Sequence, residues 1–486
     1  MPPDALIETP PITPPTPRGF AEGYHVDAGG FDEMAEPGGA LRPHWRMLVS
    51  QLDDLGPEER QQRWALARRL IHDNGITHNV YGDERGLDRP WNLDFVPLLI
   101  AAAEWQTLTR GLQQRARLLD RLLADLYGPA TTVAAGVLPQ ELVYANPAFL
   151  RPCHGVRVPR DTYLHLYGVD LVRGVGGRIT VLSDRTQAPS GAGYALENRI
   201  VLSQALPAIY RQCNVRRLAP FFVALRQTLA GLAPSGRDNP RVVLLTPGPY
   251  NETYFEHAYL ARYLGYTLVQ GGDLTVRDGK VFLKTLSGLQ RVDVILRRVD
   301  DDYCDPLELR AGSYLGVPGL LGAVRDNNVA VANALGSGAL QGPCFLPFMP
   351  RLCRHLLGEE LLLDSVTTWW CGDPDSLRYA LGRLDTLVIK PAYPSRKADP
   401  VFGATLGAAD LAALAARIAA RPAAFVAQEP HVSATAPALD SDRLTSGPFV
   451  LRTYLAAGGD DGYTLLPGGL TRTTPAESNV AGLQKG

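Results

Sequence analysis

The chain has 486 residues, 45% of them apolar and 20% charged, with a formal net charge of −2. That length allows about three domains around substantial cores, and the near-neutral balance excludes the broad basic field that a nucleic-acid binder needs. No apolar run reaches membrane-spanning length, and no charged and then apolar leader opens the chain, so a cytoplasmic location without nucleic-acid or membrane partners is expected.

Residues 1–40 are rich in Pro and Gly, as in Thr9 to Pro17, and read as a disordered tail draping over the body. Residues 41–130 carry helical periodicity, with apolar residues at three- and four-residue spacing over Glu58 to Asp73 and Leu98 to Leu126. Between these runs, Asn74 to Gly82 reads as a structured loop, and His78 within it as a structural hydrogen-bonder. Cys153, Cys213, Cys304, Cys344, Cys353 and Cys371 are scattered without zinc-ligand spacing and read as reduced structural thiols.

His165 to Val172 and Arg178 to Asp184 are strand-like and separated by turn residues, which predicts a hairpin. Such a hairpin can bring Asp170 and Asp184 near one another. Paired carboxylates need a cation or a proton between them, and Mg²⁺ beside phosphate is one such cation. The alternative is that both are water-facing hairpin ends. From Val242 to Ala332, strand, helix and strand alternate, with a helix over Phe255 to Leu264 stopped by Gly265 and a hairpin-like stretch over Val276 to Phe282. This pattern predicts a small Rossmann-like sheet with a right-handed crossover. Thr246 to Glu252 lacks the glycine spacing of a dinucleotide loop.

Leu387 to Lys390 reads as a buried strand ending in a lysine, followed by a loop holding Ser395, Arg396 and Lys397. A cation at a strand end beside such a loop can meet a phosphate. A helix over Ala409 to Ala420 separates it from Phe425 to His431, a strand stopped at Pro430, whose edge can offer backbone groups to an adenine. Phe449 to Leu455 then alternates around Arg452.

These motifs in this order resemble the circularly permuted type-2 ATP-grasp family of glutathionylspermidine synthase-like ligases. The resemblance is clearest in Ser190 to Arg199, Arg297 to Asp302, Val331 to Gly338 and Leu466 to Leu470, and runs from about residue 41 onward. It implies an α/β (α+β) permuted ATP-grasp fold with a helical N-terminal region and an inserted Rossmann-like pre-ATP-grasp domain. The implied divisions are a tail (1–40), the helical region (41–130), a metal-binding half (131–238), the pre-ATP-grasp domain (239–345) and a lysine-bearing lobe (346–486), expected to be cut short at its end.

The resemblance also implies ATP and Mg²⁺ as cofactors and an acylphosphate route joining a carboxylate to an amine. Lys390 would contact the α/β-phosphates, with Ser395, Arg396 and Lys397 closing over the nucleotide. Gln428, Glu429 and Pro430 would line the adenine, and Asp170 and Asp184 would hold the metal. Arg297 and Arg298, with Arg452, would serve the substrate carboxylate. Adjacent strand residues face opposite ways, so one of Arg297 and Arg298 is expected to tie to the Asp300–Asp302 run.

One departure stands out: many relatives carry Glu-Asp-Asn where this chain has Ser183-Asp184-Arg185, so that Arg185 could substitute for a cation. The subgroup it resembles carries a helical partner domain. The other reading of the chain is therefore a catalytically weak nucleotide-binding module acting with such a partner.

Overall fold

The computed structural model describes residues 19–26, 30–78, 91–234, 237–393, 399–431, 434–440, 443–459 and 462–473. Helices Pro43–Asp73 and Ala102–Leu126 come first. The first is kinked at Gly56, whose positive φ of 70° precedes Pro57. The second repeats buried residues at Leu108, Leu112, Arg115, Leu119, Leu122 and Leu126, one continuous stripe with an arginine inside it.

Strands β1 (Leu166–Arg173) and β2 (Ile179–Arg185) form the expected antiparallel hairpin, with a bulge after Asp170. Next, β3 (Val242–Leu245) and β4 (Thr267–Val269) pair in parallel across the helix Tyr254–Leu264. That helix ends where Gly265 adopts φ 77°, the left-handed geometry that favours glycine. A three-stranded meander follows: β5 (Leu274–Arg277), β6 (Lys280–Thr285) and β7 (Gly288–Arg291). The chain then returns through β8 (Val294–Arg297) and β9 (Ala330–Ala332), completing a parallel sheet of order β4-β3-β8-β9. Its strands β3, β8 and β9 are buried along their whole length, which explains their unbroken apolar runs.

A second small sheet, order β10-β13-β11-β12, joins β10 (Thr368–Trp370), β11 (Val388–Pro391), β12 (Val401–Phe402) and β13 (Phe425–Gln428). The chain ends in β14 (Thr435–Asp440), the 15-residue β15 (Arg443–Ala457), β16 (Tyr463–Leu465) and β17 (Leu470–Thr473). β15 lies beside β1 and also pairs with β14, β16 and β17, so the large sheet joins the first described strands to the last. The two lobes, one built on the large sheet and the other on the β10-β13-β11-β12 sheet, meet at β2, where the Val181 N–H donates to the Asp364 carbonyl and the Val366 N–H donates to the Val181 carbonyl.

The motifs quoted above are fastened by close packing. Gly191 and Gly193 donate their N–H groups to Glu256 Oε1 at 2.7 and 2.8 Å, placing a carboxylate at the N-terminus of the helix Ala192–Ala205. A Cβ on Gly191 would lie 2.0 Å from the Tyr454 hydroxyl, and one on Gly193 2.8 Å from Glu256 Cγ. The Asn333 side chain accepts the N–H groups of His165 and Leu166 and donates to the carbonyls of Leu166 and Thr186, sewing the parallel sheet to the start of β1.

The expected tail differs from the structure. Within 19–40, Phe20, Met34 and Ala35 are buried, and the Asp32 backbone bridges to Thr435. Three aromatic residues, Phe20, Tyr24 and Phe31, and Met34 give this stretch enough apolar surface to dock despite its glycines. Residues 1–18 lie outside the described residues. All six cysteines are unpaired thiols, and burial raises the pKa of Cys153, Cys304 and Cys344. None of the described helices is long and apolar enough to cross a membrane.

Candidate functional site

The register of the large sheet decides which side chains meet. Asp170 stands opposite Ser183 on β2 and Arg452 on β15, whereas Asp184 stands opposite Val169. Successive strand residues point to opposite faces, so Asp170 and Asp184 look away from each other. The expected carboxylate pair is therefore not formed, which corrects the reading of the two as joint metal ligands. Asp184 faces the helix Ala102–Leu126. There Arg115 donates Nε and a terminal nitrogen to its two oxygens at 2.8 and 2.7 Å, and the Tyr167 hydroxyl donates to it as well. Burial would lower the Arg115 pKa, but the charge of Asp184 outweighs it and raises it.

On the other face Asp170 is enclosed by donors. Arg452 reaches it at 2.6 and 3.0 Å, Arg185 at 3.1 and 3.0 Å, and the Ser183 hydroxyl at 2.8 Å. Burial would raise its pKa. The guanidinium groups of Arg452 and Arg185 prevail and hold the carboxyl well below the usual range. Arg472 belongs to the same face, because it stands opposite Val450 and two residues from Leu470, the partner of Arg452. Its pKa is lowered by burial first and then by the like charge of Arg452. Beneath lies a small apolar floor of Val172, Leu182, Val366 and Val450.

Lys390 comes to this face from the other lobe. β11 carries it beside β13, where its ammonium donates to Gln428 Oε1 at 2.6 Å, and Gln428 donates in turn to Thr368 Oγ1 at 3.0 Å. Burial, followed by the charge of Arg185, pulls its pKa down to about 8. The partner here is a neutral amide. The arrangement is thus four basic side chains from both lobes: Arg185, Arg452 and Arg472 act on Asp170, Lys390 lies within reach of the Arg185 charge, and Glu256 is a second carboxylate felt by Arg452.

A pH dependence follows. A phosphate beside Lys390 favours its charged form, so anion binding takes up a proton once the free lysine begins to lose its own. Affinity for a polyphosphate should fall as pH rises through about 8, and Lys390→Arg should flatten that fall. Isothermal titration across the alkaline range checks this; equal slopes for the two proteins would separate Lys390 from the anion.

The remaining expected residues fall in different places. Gln428 is buried and positions Lys390, while Glu429 and Pro430 are exposed on the linker to β14, with the Glu429 N–H donating to Thr367 O. Ser395, Arg396 and Lys397 lie outside the described residues. Arg297 is fully buried. It pairs with Asp301 and donates to the carbonyls of Asn333, Val299 and Ala334 and to Ser337 Oγ. With its donors spent on the fold, Arg297 cannot present a fork to a substrate, which corrects its assignment. Arg298, also buried, points the other way, donating to the Pro189 carbonyl at 2.7 Å and lying 3.7 Å from Glu256.

Arg115, Arg472 and Glu256 were not singled out from sequence. An arginine in the apolar stripe Leu108–Leu126 and a third arginine alternating on the C-terminal strands were the available signals. A cavity of about 570 Å³ lies elsewhere, lined by His44, Trp91, Arg199, Leu451 and Thr471. Leu451 and Thr471 belong to the sheet face turned away from Arg452, and Arg199 donates to the Arg216 carbonyl at 2.6 Å. The cationic cluster, rather than this cavity, gathers the charge suited to a polyanion.

Two sheet-bearing lobes meeting at a strand-end lysine and an arginine-lined sheet face, with the lysine lobe late in the chain, define a permuted ATP-grasp architecture. The family model described as circularly permuted ATP-grasp type 2 matches residues 97–474. The chain belongs to that family. It is 40% identical over 449 residues to the uncharacterized protein Rv2567 of Mycobacterium tuberculosis, covering 91% of this chain and 50% of that protein, so it spans about half of that relative's length. It is 38% identical over 447 residues to the uncharacterized protein sll0335 of Synechocystis, covering 92% and 93% of the two chains. A glutathione synthetase-like effector from Globodera pallida, solved in its apo form, shares the fold with TM-score 0.52 and 13% identity, over 86% of this chain and 95% of that one.

Proposed function

We propose that this chain is an ATP-dependent carboxylate–amine ligase working through an acylphosphate. The observation that carries the reading is the excess of cations over carboxylates where the lobes meet, with Lys390 held by a neutral partner. A triphosphate laid between β11 and the Asp170 face would relieve that excess. Glu429 and Pro430, exposed on the linker leaving β13, would line the adenine.

In the reaction, a substrate carboxylate oxygen attacks the γ-phosphorus, the bond to the bridging oxygen breaks, and ADP leaves. The amine lone pair then attacks the acyl carbon, the amine gives up a proton, and inorganic phosphate departs with the C–O bond electrons. Lys390, Arg185, Arg452 and Arg472 neutralise the charge that spreads over the transferring phosphoryl group, and Arg298 is the candidate for orienting the acid. No protein nucleophile is required.

A second reading is favoured by Ser183 and Arg185, which put a hydroxyl and a cation, not further acids, against Asp170: a nucleotide-binding module with little turnover that works with a helical partner. Screening carboxylic acids with amines for stimulated ADP release separates the two. The ligase reading expects an acid-dependent ADP burst that Lys390→Ala abolishes. ATP binding without release for any acid–amine pair leaves the module reading in its place.

A further inference from the structure

The fold family implies a divalent metal beside the nucleotide phosphates, and the donor set on the Asp170 face can be tested for it. A carboxylate offers about four lone-pair positions. Asp170 already accepts two contacts from Arg452, two from Arg185 and one from the Ser183 hydroxyl. It is 1% exposed, so no further oxygen surface is open. Ser183 spends its proton on Asp170 and carries no charge. Asp184, the next acid along, lies on the opposite face, locked to Arg115. Among the described residues no group of three or more His, Cys, Asp or Glu side chains could hold a metal ion. Mg²⁺ held by a protein wants one or two carboxylates with free oxygens, in near-octahedral geometry. These residues do not fit it.

What stands there instead is a cation supplied by the chain. Arg185 lies on the face of Asp170, and its charge is felt by Lys390 and by Arg472. A guanidinium presents five donors in a planar fork and binds phosphate oxygens readily.

Building on the ATP-binding reading above, we propose that Arg185 takes the place of the divalent metal, so that this site binds a nucleoside triphosphate in its metal-free form. Arg185 is anchored through Nε and one terminal nitrogen to Asp170, which leaves donors for a phosphate while Asp170 fixes the group's position. Free triphosphate carries more negative charge than its magnesium complex, so chelation of the ligand by Mg²⁺ weakens its attraction to a cluster already rich in arginine.

The test is isothermal titration of the full chain with ATP, in EDTA and in millimolar MgCl2. Binding in EDTA at least as tight as with MgCl2 is expected. Three variants accompany it, the Arg185→Asn single substitution among them. Arg185→Lys keeps the charge and should retain binding in EDTA. Arg185→Asn combined with Ser183→Glu places an acid on the Asp170 face and should lose about tenfold or more in EDTA, a loss that MgCl2 restores. Circular dichroism of each variant confirms the fold. ATP binding that requires MgCl2 in the unmodified chain overturns the proposal while leaving the ATP reading intact. No binding in either buffer overturns both. An Arg185→Asn single variant that binds in EDTA as tightly as the unmodified chain shows that Arg185 supplies no part of the site.

Discussion

Arg115→Met should destabilise the protein by about 3–5 kcal/mol, the usual cost of breaking a buried ion pair from one side. The side chains of Arg115 and Asp184 are 0% and 4% exposed, so the orphaned carboxylate has no path to water and only the Tyr167 hydroxyl left to it. The unpaired Asp184 charge would work against the packing of the helix Ala102–Leu126 on the sheet. The double replacement Arg115→Met with Asp184→Leu should recover most of the loss, because two apolar residues of similar volume remove the unpaired charge. Urea denaturation of the three proteins measures this. A single-variant loss below about 1 kcal/mol would mean that Asp184 finds another partner, since surface-like pairs cost that little. The same pair explains why Asp184 matters although it points away from the Asp170 face: it clamps β2, and with it Ser183 and Arg185, against the helical layer.

Lys390→Ala should weaken ATP binding by about 1.5–3 kcal/mol, roughly 10- to 150-fold, the range of charge-assisted contacts. Fold stability should change little or improve, because the lysine is a cation confined beside Arg185 with only a neutral amide against it. This opposition of effects separates a ligand-binding lysine from a structural one. Titration calorimetry with ATP, alongside thermal unfolding without it, reads both. Unchanged affinity would reduce Lys390 to a strand-end residue. Gln428→Ala should give a smaller loss through the same lysine, since Gln428 steers Lys390 from its anchorage on Thr368.

The individual elements were legible because their signals are local, and the permuted architecture because the motifs, taken in order, resemble a known family. The Lys390 strand, the β1–β2 hairpin, the helix stopped at Gly265 and the alternation around Arg452 each follow from a few consecutive residues. Register was not legible. Whether Asp170 faces Asp184 turns on the pairing of Asp170 with Ser183, and a one-residue difference sends a side chain to the other face. The partners that settle the site are also remote in sequence: Arg115 lies 69 residues from Asp184, and Arg452 lies 282 from Asp170. Nothing at Asp184 itself announces that a helix arginine will take it, although an arginine in an otherwise apolar stripe was a sign that some buried acid would. Arg297 and Arg298 show the same limit. Alternation separates them, but only the loop around Asn333 and Ser337 determines which one is saturated.

The central place of β15 bears on how the molecule is made. β1 and β2 leave the ribosome early, yet the strand that covers β1 is synthesised about 280 residues later, as the 282-residue separation of Asp170 and Arg452 requires. At about 5–20 residues per second, the hairpin waits tens of seconds with one edge open and with Asp170 lacking Arg452. The parallel sheet β3–β4–β8–β9 draws all its strands from Val242–Ala332 and can assemble during that interval. The basic face around Asp170, by contrast, cannot exist on a nascent chain until β15 has emerged. Synthesis therefore finishes the scaffold first and the anion site last, and during that delay the exposed edge of β1 is the part of the molecule most open to pairing with another chain.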